Sequence, residues 1–299
     1  MFQQKRTGSI LCPACGKLVG VNDEQCFYCG RRKPGMWGLT TVLARLGRDL
    51  PFGNVVVGGC IFLYLAMLAV MMVDDPESIQ IMQGGIFNIL APGNEALVRF
   101  GAAGAWPVFV FERWWTLLAA GWLHANLLHI GFNVYWIRLL APATSELYGA
   151  SRMIVIYTVS TIVGFFVSSG VGAYVQLGRN MPWLAEIGLG GSGLTVGASA
   201  PILGLLGAAV CYGHRTGAYS ASRQAWSYAL FMIIFGFLMP RVDNWAHIGG
   251  FAGGYLAGLM LRPERPESPT HTGLAIACLV ATAASIVASL VDVRFYRLL

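Results

Sequence analysis

Seven stretches of this chain are apolar for long enough to suggest membrane spans, near 55–73, 117–140, 153–175, 192–213, 225–239, 245–261 and 273–291. A helix needs about 20 such residues to cross the hydrocarbon core, so the pattern predicts an all-α polytopic membrane protein. The 225–239 stretch is short and bounded by Pro240. A broken or tilted helix there is the alternative, and it would lower the count and reverse the C-terminal end. Between the first two stretches, residues 74–114 mix Asp74, Asp75, Pro76 and Glu77 with glycines and the aromatic cluster Trp106, Phe109, Phe111, Trp114 and Trp115. That composition suits an external loop lying in the membrane interface.

Composition agrees with the pattern. Of 299 residues, 56% are hydrophobic and 11% charged, which excludes a soluble globular domain. With seven spans, most Lys and Arg, including Lys5, Lys17, Arg31, Arg48, Arg138, Arg152, Arg215 and Arg262, fall on the N-terminal side. Arg99, Arg113, Arg179, Arg241, Arg294 and Arg297 fall opposite. The positive-inside bias then predicts a multi-pass protein of the cell membrane, N-terminus cytoplasmic and C-terminus external. The net charge of +6 follows from this topology and makes nucleic acid an unlikely partner. The first fifty residues are polar and basic, so no cleavable signal peptide is expected.

Residues 1–35 hold two cysteine pairs, Cys12-Pro13-Ala14-Cys15 and Cys26-Phe27-Tyr28-Cys29, each followed by a glycine, Gly16 and Gly30. Two such knuckles supply four thiolates for a tetrahedral ion, and a cytoplasmic address keeps the thiols reduced. The pattern therefore predicts a structural Zn²⁺ ribbon rather than disulfides. Such a module serves as a docking site for a cytoplasmic protein partner, as a nucleic-acid binder or as a cap. A linker over 36–54, with Arg45 and Arg48 as headgroup anchors, joins it to a membrane core over 55–262. An added C-terminal helix follows over 263–299. Cys60, Cys211 and Cys278 lie in apolar stretches and read as packing residues.

Polar groups in hydrocarbon are costly and point to function. Ser199 stands in Gly197-Ala198-Ser199-Ala200-Pro201, and His247 in Asn244-Trp245-Ala246-His247-Ile248-Gly249-Gly250. His129 and Asn133 are four residues apart, hence on one helix face, with His124 near its external end. His247, Gly250, Gly254 and Gly258 form one small-residue stripe, and Ala200, Gly204, Gly207 and Cys211 beside Ser199 form another. Two such stripes let backbones approach closely, which predicts that the imidazole reaches the hydroxyl and accepts its proton. Asp243, one turn before His247, reads as a loop charge. The expectation is therefore a Ser-His dyad rather than a triad, in a wet cavity open outward.

The His124-x-x-x-x-His129-x-x-x-Asn133 helix, the Gly197-Ala198-Ser199 turn and Ala246-His247-Ile248-Gly249-Gly250 together resemble the rhomboid family of intramembrane serine proteases, over about residues 50–262. The resemblance implies a six-helix core plus one helix, with Ser199 as nucleophile and His247 as base. It also implies an oxyanion hole from His129, Asn133 and the Ser199 N–H, with Gly197 and His124 in support. Its implied substrates are transmembrane proteins in the bilayer, cleaved without a catalytic cofactor. Three positions depart from the family pattern: Ala200 replaces a glycine, Thr116 an arginine after Trp115, and Leu203 a tyrosine. They leave a second expectation beside the first, an impaired adaptor that binds client helices.

Overall fold

The computed structural model describes residues 8–35, 51–74, 88–239 and 242–292, apart from 179, 182, 187, 188 and 266. Most of the 36–54 linker, including Arg45 and Arg48, lies outside the described residues, as do Asp75, Pro76, Glu77, Arg179, Pro240, Arg241, Arg294 and Arg297. Eight helices of eight or more residues are described. They are α1 (Phe52–Asp74), α2 (Gly93–Phe100), α3 (Leu127–Tyr148), α4 (Ala150–Gly172), α5 (Ser199–Thr216), α6 (Tyr219–Leu238), α7 (Asn244–Leu261) and α8 (Pro269–Val291). Apart from α2, each falls on one predicted apolar stretch. Helices α1, α4 with its extension to Leu177, and α8 are individually long and apolar enough to cross a membrane. Helix α6 is an unbroken run of 20 residues.

Two predicted spans begin later than hydropathy suggests, and a third surprise lies in the loop. Over 117–140 the chain first makes short turns at Thr116–Ala119 and Ala120–Trp122, and Leu123 is extended at φ −94° and ψ 153°. Helix α3 starts only at Leu127, where the Asn126 side chain accepts a hydrogen bond from the His129 N–H at 2.8 Å. An N-cap of this kind fixes a helix start that an apolar average does not register. His124 consequently precedes the helix instead of lying on it. The 192–213 stretch likewise becomes helical only at Ser199, because its glycine-rich beginning pairs with another loop. Ala103 and Thr195 exchange backbone hydrogen bonds at 3.1 and 2.8 Å, and the Ala105 N–H reaches the Ser192 carbonyl at 2.9 Å. Within the predicted interfacial loop, residues Gly93–Phe100 form α2.

Helix α7 is the centre of the bundle and packs mainly on α4 and α5. Its small residues set the distance. A methyl on Gly250 would lie 2.1 Å from the Ala200 carbonyl oxygen, one on Gly254 1.9 Å from that of Gly204, and one on Gly258 3.2 Å from Cys211 Cβ. The two predicted stripes thus meet at Ala200, Gly204 and Cys211, while Gly207 faces the Phe251 backbone. In lipid no hydrophobic force drives helices together, so such close backbone contact is what van der Waals attraction requires. Helix α8 packs on α4, and near its C-terminal end on α2 and the Thr116–Ala119 turn. Outside the bundle, β1 (Ser9–Leu11) pairs antiparallel with β2 (Leu18–Gly20) over a small core of Ile10, Cys12, Val19, Val21 and Cys26.

Candidate active site

Ser199 is the first residue of α5, so its backbone N–H belongs to the helix end that lacks intrahelical acceptors. Pro201, two positions on, falls where a missing N–H costs little. Gly197 holds the approach to this helix at φ +132°, a conformation open to glycine. A side chain is excluded there for a second reason. A methyl on Gly197 would lie 2.6 Å from His129 Nε2 and 3.7 Å from Ser199 Oγ. The Gly197 turn thus borders both the imidazole and the hydroxyl. Its N–H donates to the Ala120 carbonyl at 2.9 Å, tying the turn to the loop before α3.

His129 Nδ1 accepts a long hydrogen bond of 3.4 Å from the Ala125 N–H. That contact favours the tautomer with the proton on Nε2, facing Gly197 and Ser199. Asn133, buried one turn on, donates to the His129 carbonyl at 2.9 Å, and its Oδ1 makes no hydrogen bond. His124 is fully buried, both its ring nitrogens lack hydrogen bonds, and its ring packs edge-on against His129 at 5.1 Å between centroids. It therefore braces the His129 ring and does not face Ser199 from the helix.

His247 is buried in the first turn of α7, three residues before Gly250, whose partner Ala200 adjoins Ser199. Its Nδ1 makes no hydrogen bond, and none joins it to Ser199 in this conformation. Asp243 is not a loop charge. It is the N-cap of α7, accepting from the Ala246 N–H at 3.0 Å and from the Ser168 hydroxyl. With both oxygens so engaged, the carboxylate fixes the helix end and leaves His247 without an acidic partner. The Ala200 methyl does not wedge α5 from α7: Gly250 meets the Ala200 backbone, while the methyl faces Gly164 of α4. Leu203 is fully buried in the apolar core.

In the N-terminal module the four sulfur atoms of Cys12, Cys15, Cys26 and Cys29 lie within 4.8 Å of one another. Cys12 to Cys29 and Cys15 to Cys26 are each 3.7 Å. A tetrahedron with metal–sulfur bonds of about 2.3 Å has sulfur–sulfur edges of about 3.8 Å, so the set fits a metal ion. Gly16 and Gly30, at φ +71° and +73°, close the two knuckles onto the carbonyls of Cys12 and Cys26. Burial raises the Cys26 thiol, but the N–H groups of Cys29 and Tyr28 outweigh it and hold it at about 7. At Cys29 the Arg31 N–H favours the thiolate, yet burial and the neighbouring sulfurs push the thiol up to about 12.

Several contributors are absent from the predicted set. Asn126 carries a local signal, an asparagine three residues before the histidine whose N–H it binds. Ala120 acts through its carbonyl and Gly164 through an absent side chain, and neither leaves a trace in sequence.

A helical bundle built on glycine-to-backbone contacts, with Ser199, His129 and His247 on the segments that meet at the start of α5, fits a multi-pass membrane protein. The Rhomboid domain model matches residues 112–264, half of the chain, and the chain belongs to the rhomboid family. RHOMBOID-like protein 7 of Arabidopsis thaliana is 29% identical over 179 residues, covering 58% of this chain and 51% of its own length. RHOMBOID-like protein 2 of the same plant is 31% identical over 184 residues, covering 59% and 52%. Rhomboid protease GluP of Bacillus subtilis (strain 168) is 30% identical over 171 residues, covering 56% and 30%. The chain thus spans about half the length, or less, of these relatives.

Proposed function

We propose that the protein is an intramembrane serine endopeptidase that hydrolyses transmembrane proteins near their external ends, through a dyad of Ser199 and His247. The observation that carries this reading is the Gly197 turn. The turn borders both the His129 ring and Ser199 Oγ, and the Ala200–Gly250 contact holds α7 against the same end of α5. In this reading His247 takes the proton as Ser199 Oγ attacks the substrate carbonyl, then returns it to the leaving amine. The Ser199 N–H, His129 Nε2–H and Asn133 side chain stabilise the oxyanion. In this reading the Ser199–His247 hydrogen bond forms with substrate present, since catalytic hydrogen bonds often tighten only in the complex.

Zn²⁺ is the ion proposed for the four cysteines, where it supplies folding energy to a module without a sizeable core. The domain limits of 1–35, 36–54, 55–262 and 263–299, the cytoplasmic N-terminus and the external C-terminus belong to the same proposal. So does a cytoplasmic protein as the ribbon's partner. The adaptor reading draws on the open Ser199–His247 pair and on Thr116. Fluorophosphonate labelling decides between them: the wild type should label, while Ser199→Ala and His247→Ala should not. No labelling of a folded wild type, or equal cleavage of a model membrane substrate by Ser199→Ala, would end the protease reading.

A further inference from the structure

Arg113 and Arg152 are the largest fully buried side chains among the described residues, and Arg113 sits in the interfacial loop rather than in a helix. Its guanidinium is held from two directions. Nη1 donates to the Val98 carbonyl of α2 at 2.9 Å, Nη2 donates to the Ser289 carbonyl of α8 at 3.1 Å, and Nε pairs with Asp292 at 3.2 Å. Both members of this ion pair are nearly inaccessible, with side-chain exposures of 1% and 8%. The Trp115 indole N–H adds a hydrogen bond of 3.0 Å to Ser289 Oγ. The last turn of the C-terminal helix is therefore clamped onto the loop that precedes α3.

That loop leads to the serine. The Thr116 hydroxyl donates to the Arg113 carbonyl at 2.7 Å, beginning the Thr116–Ala119 turn. Ala120 follows, and its carbonyl receives the Gly197 N–H. The next carbonyl, of Gly121, accepts from the Tyr157 hydroxyl of α4 at 2.8 Å. Resting on the protease reading above, we propose that Arg113, Ser289 and Asp292 form a latch through which α8 positions the Gly197–Ser199 turn. Arg113 and Asp292 act as positioning residues. They touch no substrate, and their charge pairing keeps the Ala120 carbonyl where it fixes Gly197. The arrangement also gives a use to a helix that contributes no side chain to the dyad or to the oxyanion donors. A buried pair of this kind is sensitive because losing one partner strands the other charge in an apolar setting.

The test uses the full chain in detergent, with Asp292→Asn and Ser289→Ala as the mild variants, Arg113→Gln and Arg113→Lys beside them, and Arg223→Gln on α6 as the exposed control. Asp292→Asn should lower kcat at least tenfold while KM stays within twofold. Arg113→Gln combined with Asp292→Asn should lose no more than the worse single variant. Hydrogen exchange of a peptide spanning 194–200 should accelerate in Asp292→Asn and stay at the wild-type rate in Arg223→Gln. If Arg113→Gln does not fold, the Asp292→Asn and Ser289→Ala results still decide. Wild-type exchange of that peptide in folded Asp292→Asn overturns the latch. Failure of the wild type to label overturns the protease reading instead, while the exchange comparison still reads the latch.

Discussion

Replacing Gly250 by alanine tests the close approach of α5 and α7 at the level of the serine. The new methyl would sit 2.1 Å from the Ala200 carbonyl oxygen and 2.7 Å from its carbonyl carbon, both backbone atoms that no rotamer change can move. Ordinary contact begins at 3.4 Å, so the two helices must separate by about 1.3 Å at this point. Overpacking of a close contact typically costs about 1–3 kcal/mol. The effect on chemistry is larger, because a displacement of about 1 Å at reacting groups costs roughly 100-fold in rate. Gly250→Ala should therefore lower kcat for a model membrane substrate by about two orders of magnitude and slow fluorophosphonate labelling in proportion. Gly58→Ala is the matched control, since nothing lies within 4 Å of a methyl there and an alanine suits a helix interior. Activity of Gly250→Ala within threefold of wild type would refute the claim that backbone contact between α5 and α7 sets the catalytic distance.

His129→Ala and Asn133→Ala should each lower kcat by roughly 10²- to 10³-fold with KM little changed, as expected for lost oxyanion donors; a change confined to KM would assign them to substrate binding. Removing metal with a chelator should unfold residues 8–35 and leave the helical bundle intact, read as lost protection from proteolysis in the ribbon alone while far-ultraviolet dichroism stays unchanged. Cobalt reconstitution of the wild type, but not of Cys12→Ser, should give the absorption of a tetrahedral thiolate site.

The helices were legible because each of the long ones lies on an apolar run, and three of them, α1, α4 with its extension and α8, are long and apolar enough to cross a membrane. The stripes on α5 and α7 were legible for a related reason, since glycine at steps of three and four has few uses in hydrocarbon besides close contact. What escaped was decided by single hydrogen bonds. The Asn126 cap delays α3 to Leu127, and the pairing of Ala103 with Thr195 delays α5 to Ser199, yet both segments are as apolar as the helices they precede. Asp243 was misjudged because a carboxylate one turn before a histidine looks identical in sequence whether it caps the helix or sits in a loop. The space that receives the Ala200 methyl depends on Gly164, 36 positions earlier, and no local pattern connects them.

Small residues repeated at every turn bring two rods together but do not say which rung meets which. Sliding α7 along α5 by one helical step of about 5.4 Å would again set small against small, while carrying His247 a full turn from Ser199. Contacts at the extremities add to the alignment. At one, the Asp243 carboxylate pins the start of α7 to Ser168 of α4; at the other, Arg215 of α5 grips both Glu264 and the Leu259 carbonyl. The bundle is thus held at its two margins as well as along its seam, so side chains far from the serine share in setting which residues face each other there.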